Sequence, residues 1–236
     1  MLKSVSQITQ EHHAQTSTNR ELEIWGQFKY WRFRIMYSIL LGYAGFYLIR
    51  QNFSLAIPYI QSELGYSKTQ IGAIISMAAL VYGPGKAFSG ILGDKISPRY
   101  LMTFGLVGSA IMSFFMGCAS SLTMFMIIWV TNQVFQSMGS PPCIRLLAHW
   151  FSPKELGTKW ALWNMSQQIG GATIMLIGPI LIGGYGWRSV FFVPALVALL
   201  IALFLFNRLR DTPESLGLPS IEEHHGITVE DENLTT

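Results

Sequence analysis

Charge is scarce in this sequence. Lysine, arginine, aspartate and glutamate together make up 12% of its 236 residues, about half the share of a soluble domain. So little charge cannot cover a water-exposed surface, and lipid becomes the expected solvent. Cysteine is scarcer still. Cys118 and Cys143 are the two present, both inside apolar stretches, as fits small packing residues, and they offer no metal-ligand spacing. A net charge of +3 with no basic block gives no reason to expect a nucleic-acid partner. No Ser-His-Asp, Cys-His, paired-carboxylate or phosphate-loop arrangement occurs, so neither an enzyme nor a cofactor is expected. His12-His13 and His224-His225 stand in polar tails without Cys or carboxylates at ligand spacing, and no metal site is expected there. A cleavable signal peptide is not expected either. The first 27 residues are polar, and the first apolar run is too long and lacks a small-residue cleavage site.

What the chain has in quantity is apolar length: 50% of residues are hydrophobic and the mean hydropathy is +0.36. A helix needs about 20 apolar residues to cross a hydrocarbon core of ~30 Å. Six stretches qualify, at 35–59, 70–92, 100–119, 122–146, 158–184 and 189–207. Backbone groups in lipid must be satisfied within the segment, which predicts helices. The alternating ten-residue strands of a barrel are not seen. The fold class is therefore all-α, a polytopic six-helix bundle over 35–207, with a polar tail at 1–34 and a polar segment at 208–236. Gly42, Gly45, Pro84, Pro141, Pro142, Gly170, Gly171, Pro179 and Pro194 fall inside the spans, where small residues permit close approach and prolines are tolerated. Nine basic residues flank one side (Lys29, Arg32, Arg34, Lys95, Arg99, Lys154, Lys159, Arg208 and Arg210) against Lys68 and Arg188 on the other. The asymmetry predicts that both termini face the cytoplasm.

Ionisable groups within spans cost at least about 2.5–3.5 kcal/mol each. Arg50 lies fifteen residues into the first span, and its guanidinium stays protonated at any reasonable pH. Either it snorkels to the outer surface or bonds helix carbonyls, or it faces a cavity as an anion ligand. Lys86 poses the same choice, eight residues before Asp94-Lys95, with Tyr82 and the run Gly83-Pro84-Gly85 just ahead of it. The spans hold no acid to pair with either cation, which favours an anion site, and a planar guanidinium suits phosphate. Arg145 is either a further substrate cation or a clamp that fixes the following loop through Glu155. Gln167 and Gln168 either line the cavity or bond across helices. Asp94 and Glu155 are read as loop residues with a structural role.

The run Gly90-Ile-Leu-Gly-Asp94-Lys95-Ile-Ser-Pro-Arg99 resembles the G-x-x-x-D-[RK]-x-x-x-[RK] loop of the major facilitator superfamily. Tyr47-Leu-Ile-Arg50-Gln-Asn52-Phe53, Pro141-Pro-Cys-Ile-Arg145-Leu-Leu-Ala-His149-Trp150, Trp163-Asn164 with Gly170-Gly171, and Arg210-Asp211-Thr212-Pro213-x-x-x-Gly217-Leu218-Pro219 are more specific. Together they resemble the organophosphate:phosphate antiporters, and Tyr30-Trp31-Arg32 with Ala161-Leu-Trp163-Asn164 is most similar to the hexose-phosphate branch. The resemblance runs over about 28–223 and implies one half of a twelve-span fold in a bacterial inner membrane. It implies that Arg50 grips phosphate, with Lys86, Tyr82 and Gln167 in the same pore, and that Gly90, Asp94, Lys95 and Arg99 form a gating motif. The implied partners are a phosphorylated sugar (hexose 6-phosphate or glycerol 3-phosphate), inorganic phosphate, the lipid bilayer and a second six-helix half. The implied activity is exchange of sugar phosphate for phosphate; a sensor of hexose 6-phosphate working through a signalling partner is the rival. Gln51 stands where members commonly carry Lys, and Gln167 where they commonly carry His, a group that titrates near pH ~6.5. The six spans alone are expected not to transport, and proteoliposome uptake of sugar phosphate that Arg50→Ala abolishes would overturn this expectation.

Overall fold

The computed structural model describes the backbone of residues 5–221 and the side chains of residues 23–221. The histidine pairs and the acidic finish at Glu230–Glu232 lie outside the described side chains. Eight helices follow in order: α1 Val5–Leu48, α2 Asn52–Leu64, α3 Lys68–Lys95, α4 Pro98–Cys118, α5 Leu122–Gln136, α6 Ser140–Trp150, α7 Pro153–Tyr185 and α8 Ser189–Arg208. A single 3-10 turn at Glu214–Leu216 follows, and no strand occurs among the described residues.

Two of the expected spans are broken. The stretch 35–59 divides into the end of α1 and α2, and 122–146 divides into α5 and α6. α1 also begins at Val5, inside the stretch expected to be a polar tail. Of the prolines, Pro58, Pro84, Pro179 and Pro194 sit within helices. Pro141 instead lies in the first turn of α6, where its missing N–H leaves no hydrogen bond unmade. α3, α4, α7 and α8 are each long and apolar enough to cross a bilayer. Ser67 caps α3 by accepting from Gln70 N at 3.2 Å, while the Gln70 side chain accepts from Ser67 N at 2.9 Å, a reciprocal cap that fixes where the helix begins.

The bundle closes by pairwise packing: α4 along α8, α1 against α7 and α8, and α5 against α3 and α4. Its interior forms two apolar blocks. One joins Ile39, Phe46, Leu106, Cys143, Trp150 and Leu205; the other joins Phe53, Ile74, Met116, Phe125, Trp129 and Phe191. Cys143 is buried as expected of a packing residue, whereas Cys118 is exposed at the end of α4, where no neighbour covers it. Outward-facing Leu176 and Ile180 are each 74% exposed, a placement that suits hydrocarbon rather than water.

Both ends of the bundle are tied. Glu63 of α2 accepts from Trp187 Nε1 at 2.7 Å and Arg188 Nη1 at 2.6 Å, and these hydrogen bonds hold its carboxyl below the usual carboxylate range. At the other end the segment after α8 straps the helix feet together. Asp211 accepts from the backbone N–H of Arg99 in the first turn of α4, at 3.1 Å, a favourable place for a carboxylate. Trp150 Nε1 donates to Arg210 O at 3.2 Å, and Leu218 and Ile221 pack on Phe28 of α1.

Close approach of α1 and α7 depends on Gly170, because a Cβ there would lie 2.2 Å from the backbone oxygen of Ala44. Gly170→Ala is expected to cost about 1–3 kcal/mol, the usual penalty of overpacking, read as a lower unfolding midpoint in detergent. Gly72→Ala, where a Cβ meets nothing within 4 Å, should leave the midpoint unchanged or raise it.

Candidate substrate site

The break in the first span positions Arg50. In a continuous helix its N–H would bond the carbonyl of Phe46, four residues back. Here Arg50 N bonds Tyr47 O at 3.2 Å, and Gln51 N bonds the same oxygen at 3.1 Å. The carbonyl of Phe46, set free, accepts instead from Gln136 Nε2 at 3.2 Å. Gln136 also donates to Ser109 at 2.7 Å, and Ser109 donates to Asn132 Oδ1 at 2.5 Å. One turn further along α4, Asn52 donates to Ser113 at 3.0 Å, and Ser113 to Phe191 O at 3.2 Å. The second break is its neighbour: Met138 N and Gly139 N each bond three residues back. The Phe46 ring lies against Gly139 and Gly105, where Cβ atoms would come within 3.1 and 3.3 Å of it.

Past this layer Arg50 enters a cleft of about 310 Å³ lined by Gln51, Ser54, Tyr82, Trp129 and Gln133. Its guanidinium lies 4.2 Å from the Tyr82 ring centre and 5.5 Å from that of Tyr47. Lys86 Nζ is 5.2 Å from the same Tyr82 ring. Among the described residues no carboxylate forms an ion pair with Arg50 or Lys86. An aromatic face attracts a cation without neutralising it, so both positive charges remain available to an anion. Tyr47 continues to Tyr43 at 5.3 Å and then to Trp163 at 4.7 Å, an aromatic run that leads from the cleft to α7.

Lys86 also borders a second cleft of about 530 Å³, with Gly90, Gly93, Asp94, Pro141 and Arg145. Asp94 lies in the last turn of α3 and not in a loop, since the helix runs to Lys95. Lys95 is exposed beside it, and Arg99 Nε donates to Phe206 O of α8 at 2.6 Å.

One expected pairing is corrected. Arg145 does not clamp the following loop through Glu155: its Nε faces His149 Nε2 at 3.3 Å, one turn along the same helix. Glu155 pairs with Arg32 of α1 and accepts from Ser152 at 3.2 Å. Burial pushes the Glu155 carboxyl up, but the charge and hydrogen bond of Arg32, with Ser152, outweigh that and hold it below the usual range. Gln167 does not line the Arg50 cleft itself; on α7 its Nε2 donates to Asn164 of its own helix at 3.1 Å. It shares the half-buried polar side of α7 with Asn164 and Gly171, and a Cβ on Gly171 would lie 3.6 Å from Gln51. Gln136, Ser109, Asn132 and Trp129 escaped the sequence reading. The polar pairs Asn132-Gln133 and Gln136-Ser137 inside an apolar stretch were the signal that could have found them.

The sequence model of the Major Facilitator Superfamily matches residues 39–231. A "Probable hexose phosphate transport protein" of Chlamydia trachomatis is 44% identical over 84% of this chain and 43% of its own length. A "Glycerol-3-phosphate transporter" of Bacillus subtilis is 40% identical over 89% and 49%, and "Membrane sensor protein UhpC" of Escherichia coli is 40% identical over 85% and 46%. The chain spans about half the length of these relatives, which agree with the organophosphate:phosphate branch that the motifs resemble. The crystal structure of a bacterial homologue of the lysosomal transporter Spinster superposes with a TM-score of 0.68 at 19% identity, covering 78% of this chain and 44% of that one. That likeness makes the six-helix bundle one half of a transporter fold.

Gln136→Leu should leave the Phe46 carbonyl buried without a donor and cost about 1–3 kcal/mol, measured as a fall in the unfolding midpoint. Gln168→Leu on the exposed side of α7 should change it by no more than about 0.5 kcal/mol.

Proposed function

This chain belongs to the Major Facilitator Superfamily, a family of multi-pass membrane transporters, and on that premise we propose that it forms one wall of a carrier that exchanges a sugar phosphate for inorganic phosphate. The observation that carries the proposal is Arg50, a permanent cation in a membrane-embedded cleft, held over Tyr82 beside Lys86 with no carboxylate among the described residues paired to it. In this reading Arg50 holds phosphate through its fork of N–H donors. Lys86 adds a second positive charge on the Tyr82 ring, and Tyr82 orients both. Gln167 serves the sugar end from α7, and the Gly90–Arg99 run acts at the gate between α3 and α4. The polar side of the bundle would face a second six-helix half, with the substrate between the halves near the bilayer midplane and both termini in the cytoplasm.

The 40% identity to a membrane sensor favours one second reading, in which the same phosphate ligands report hexose 6-phosphate to a signalling partner. Tracer exchange of phosphate would support the carrier; ligand-dependent association with a kinase, without flux, would support the sensor.

Glucose 6-phosphate and inorganic phosphate, but not glucose, should raise the unfolding midpoint of the purified protein. Arg50→Ala should weaken the apparent affinity for both by about 10–100-fold, the worth of a charge-assisted hydrogen bond. A protein indifferent to every phosphate ester would refute both readings.

A further inference from the structure

A separate groove opens where α1 and α7 splay apart beside Phe151, with a volume of about 420 Å³. Its rim carries four charged side chains, Lys29, Arg32, Glu155 and Lys159. Arg32 and Glu155 satisfy each other. Lys159 Nζ lies 5.3 Å from the Phe151 ring centre, and among the described residues neither Lys159 nor Lys29 has an acidic partner. Among the described residues the rim therefore keeps two positive charges uncompensated.

Below the rim the groove is apolar, walled by Phe33, Tyr37 and Leu40 of α1 and by Leu162 of α7. Leu162, Ile169, Leu176 and Ile180 share one side of α7 by helical spacing and are all partly or largely exposed, whereas Asn164 and Gln167 lie on the other. Phe33, 71% exposed, marks the lipid side of α1. Exposed Trp25, Tyr30 and Trp160 cluster at the same end of these helices, the depth at which aromatic rings meet headgroups.

A ligand for this groove needs a negative head at the headgroup level and a hydrocarbon tail directed toward the membrane centre. We infer that the α1–α7 groove binds one anionic phospholipid, its phosphate between Lys29 and Lys159 and one acyl chain along Phe33, Leu40 and Leu162. A zwitterionic lipid would bring its own ammonium up against the two lysines. Inorganic phosphate has nothing to fill the apolar wall.

Native mass spectrometry of the full chain in detergent tests the assignment with phosphatidylglycerol and phosphatidylcholine of matched chain length. The wild type should retain phosphatidylglycerol preferentially, and millimolar inorganic phosphate should not displace it. The double variant Lys29→Gln/Lys159→Gln should bind phosphatidylglycerol about thirtyfold more weakly, the combined effect of two surface lysines on an anionic lipid, with phosphatidylcholine unaffected. Equal retention of the two lipids, undiminished binding by the variant, or displacement by phosphate would each overturn the proposal. Circular dichroism melts establish that the variant folds; if it does not, the single variants Lys29→Gln and Lys159→Gln, each expected to weaken binding about fivefold, decide the question.

Discussion

The hydrogen bond from Gln136 to the carbonyl of Phe46 is the interaction on which the site depends. A helix in lipid cannot leave a carbonyl bare, because no water is present to take it. Breaking the first span therefore requires a donor from elsewhere, and α5 supplies one from its own last turn, next to its own break. The two interruptions stabilise each other across the bundle: Phe46 fills the space left by Gly139 and Gly105, while Gln136 satisfies the backbone that the turn at Arg50 released. Without that pairing Arg50 would continue the straight helix, on a face set by its register rather than by the turn.

The buried polar layer also accounts for the two apolar blocks. Ser109 and Ser113 stand one turn apart on α4, so each reaches a different asparagine, and the layer connects α2, α4 and α5. Fixing three helices against one another lets the charges beyond the layer sit on a rigid wall. The cations then rest on aromatic faces, which hold their position without cancelling their charge. A carboxylate in place of Tyr82 would hold Arg50 more tightly and leave less of its charge for a ligand.

The positions of Arg50 and Lys86 were legible because a charge in an apolar run is conspicuous in any window of residues. The break beside Arg50 was not, since Tyr47 to Asn52 contains no proline or glycine and the cause lies ninety residues away in Gln136. The partner of Glu155 was misread for a similar reason. Arg145 is near in sequence, but α1 brings Arg32 to the foot of α7, and Arg145 turns instead to His149 of its own helix. Gln167 lies on the polar side of α7 as its spacing suggests, yet residue spacing alone does not say which neighbour the amide will choose. The Arg210–Pro219 motif was recognisable as a pattern, while its mechanical role emerged from contacts with Arg99 and Trp150 that no local signal carries.

That strap has a routing consequence. α8 ends at Arg208, but Leu218 and Ile221 are already seated against Phe28, so in thirteen residues the chain has been carried from the foot of the last helix to the flank of the first. The strap therefore ends on the α1 side of the bundle. A pull or a bound protein acting on that stretch would transmit its load to α1 and, through Asp211, to α4, and only secondarily to the helix that precedes it in sequence.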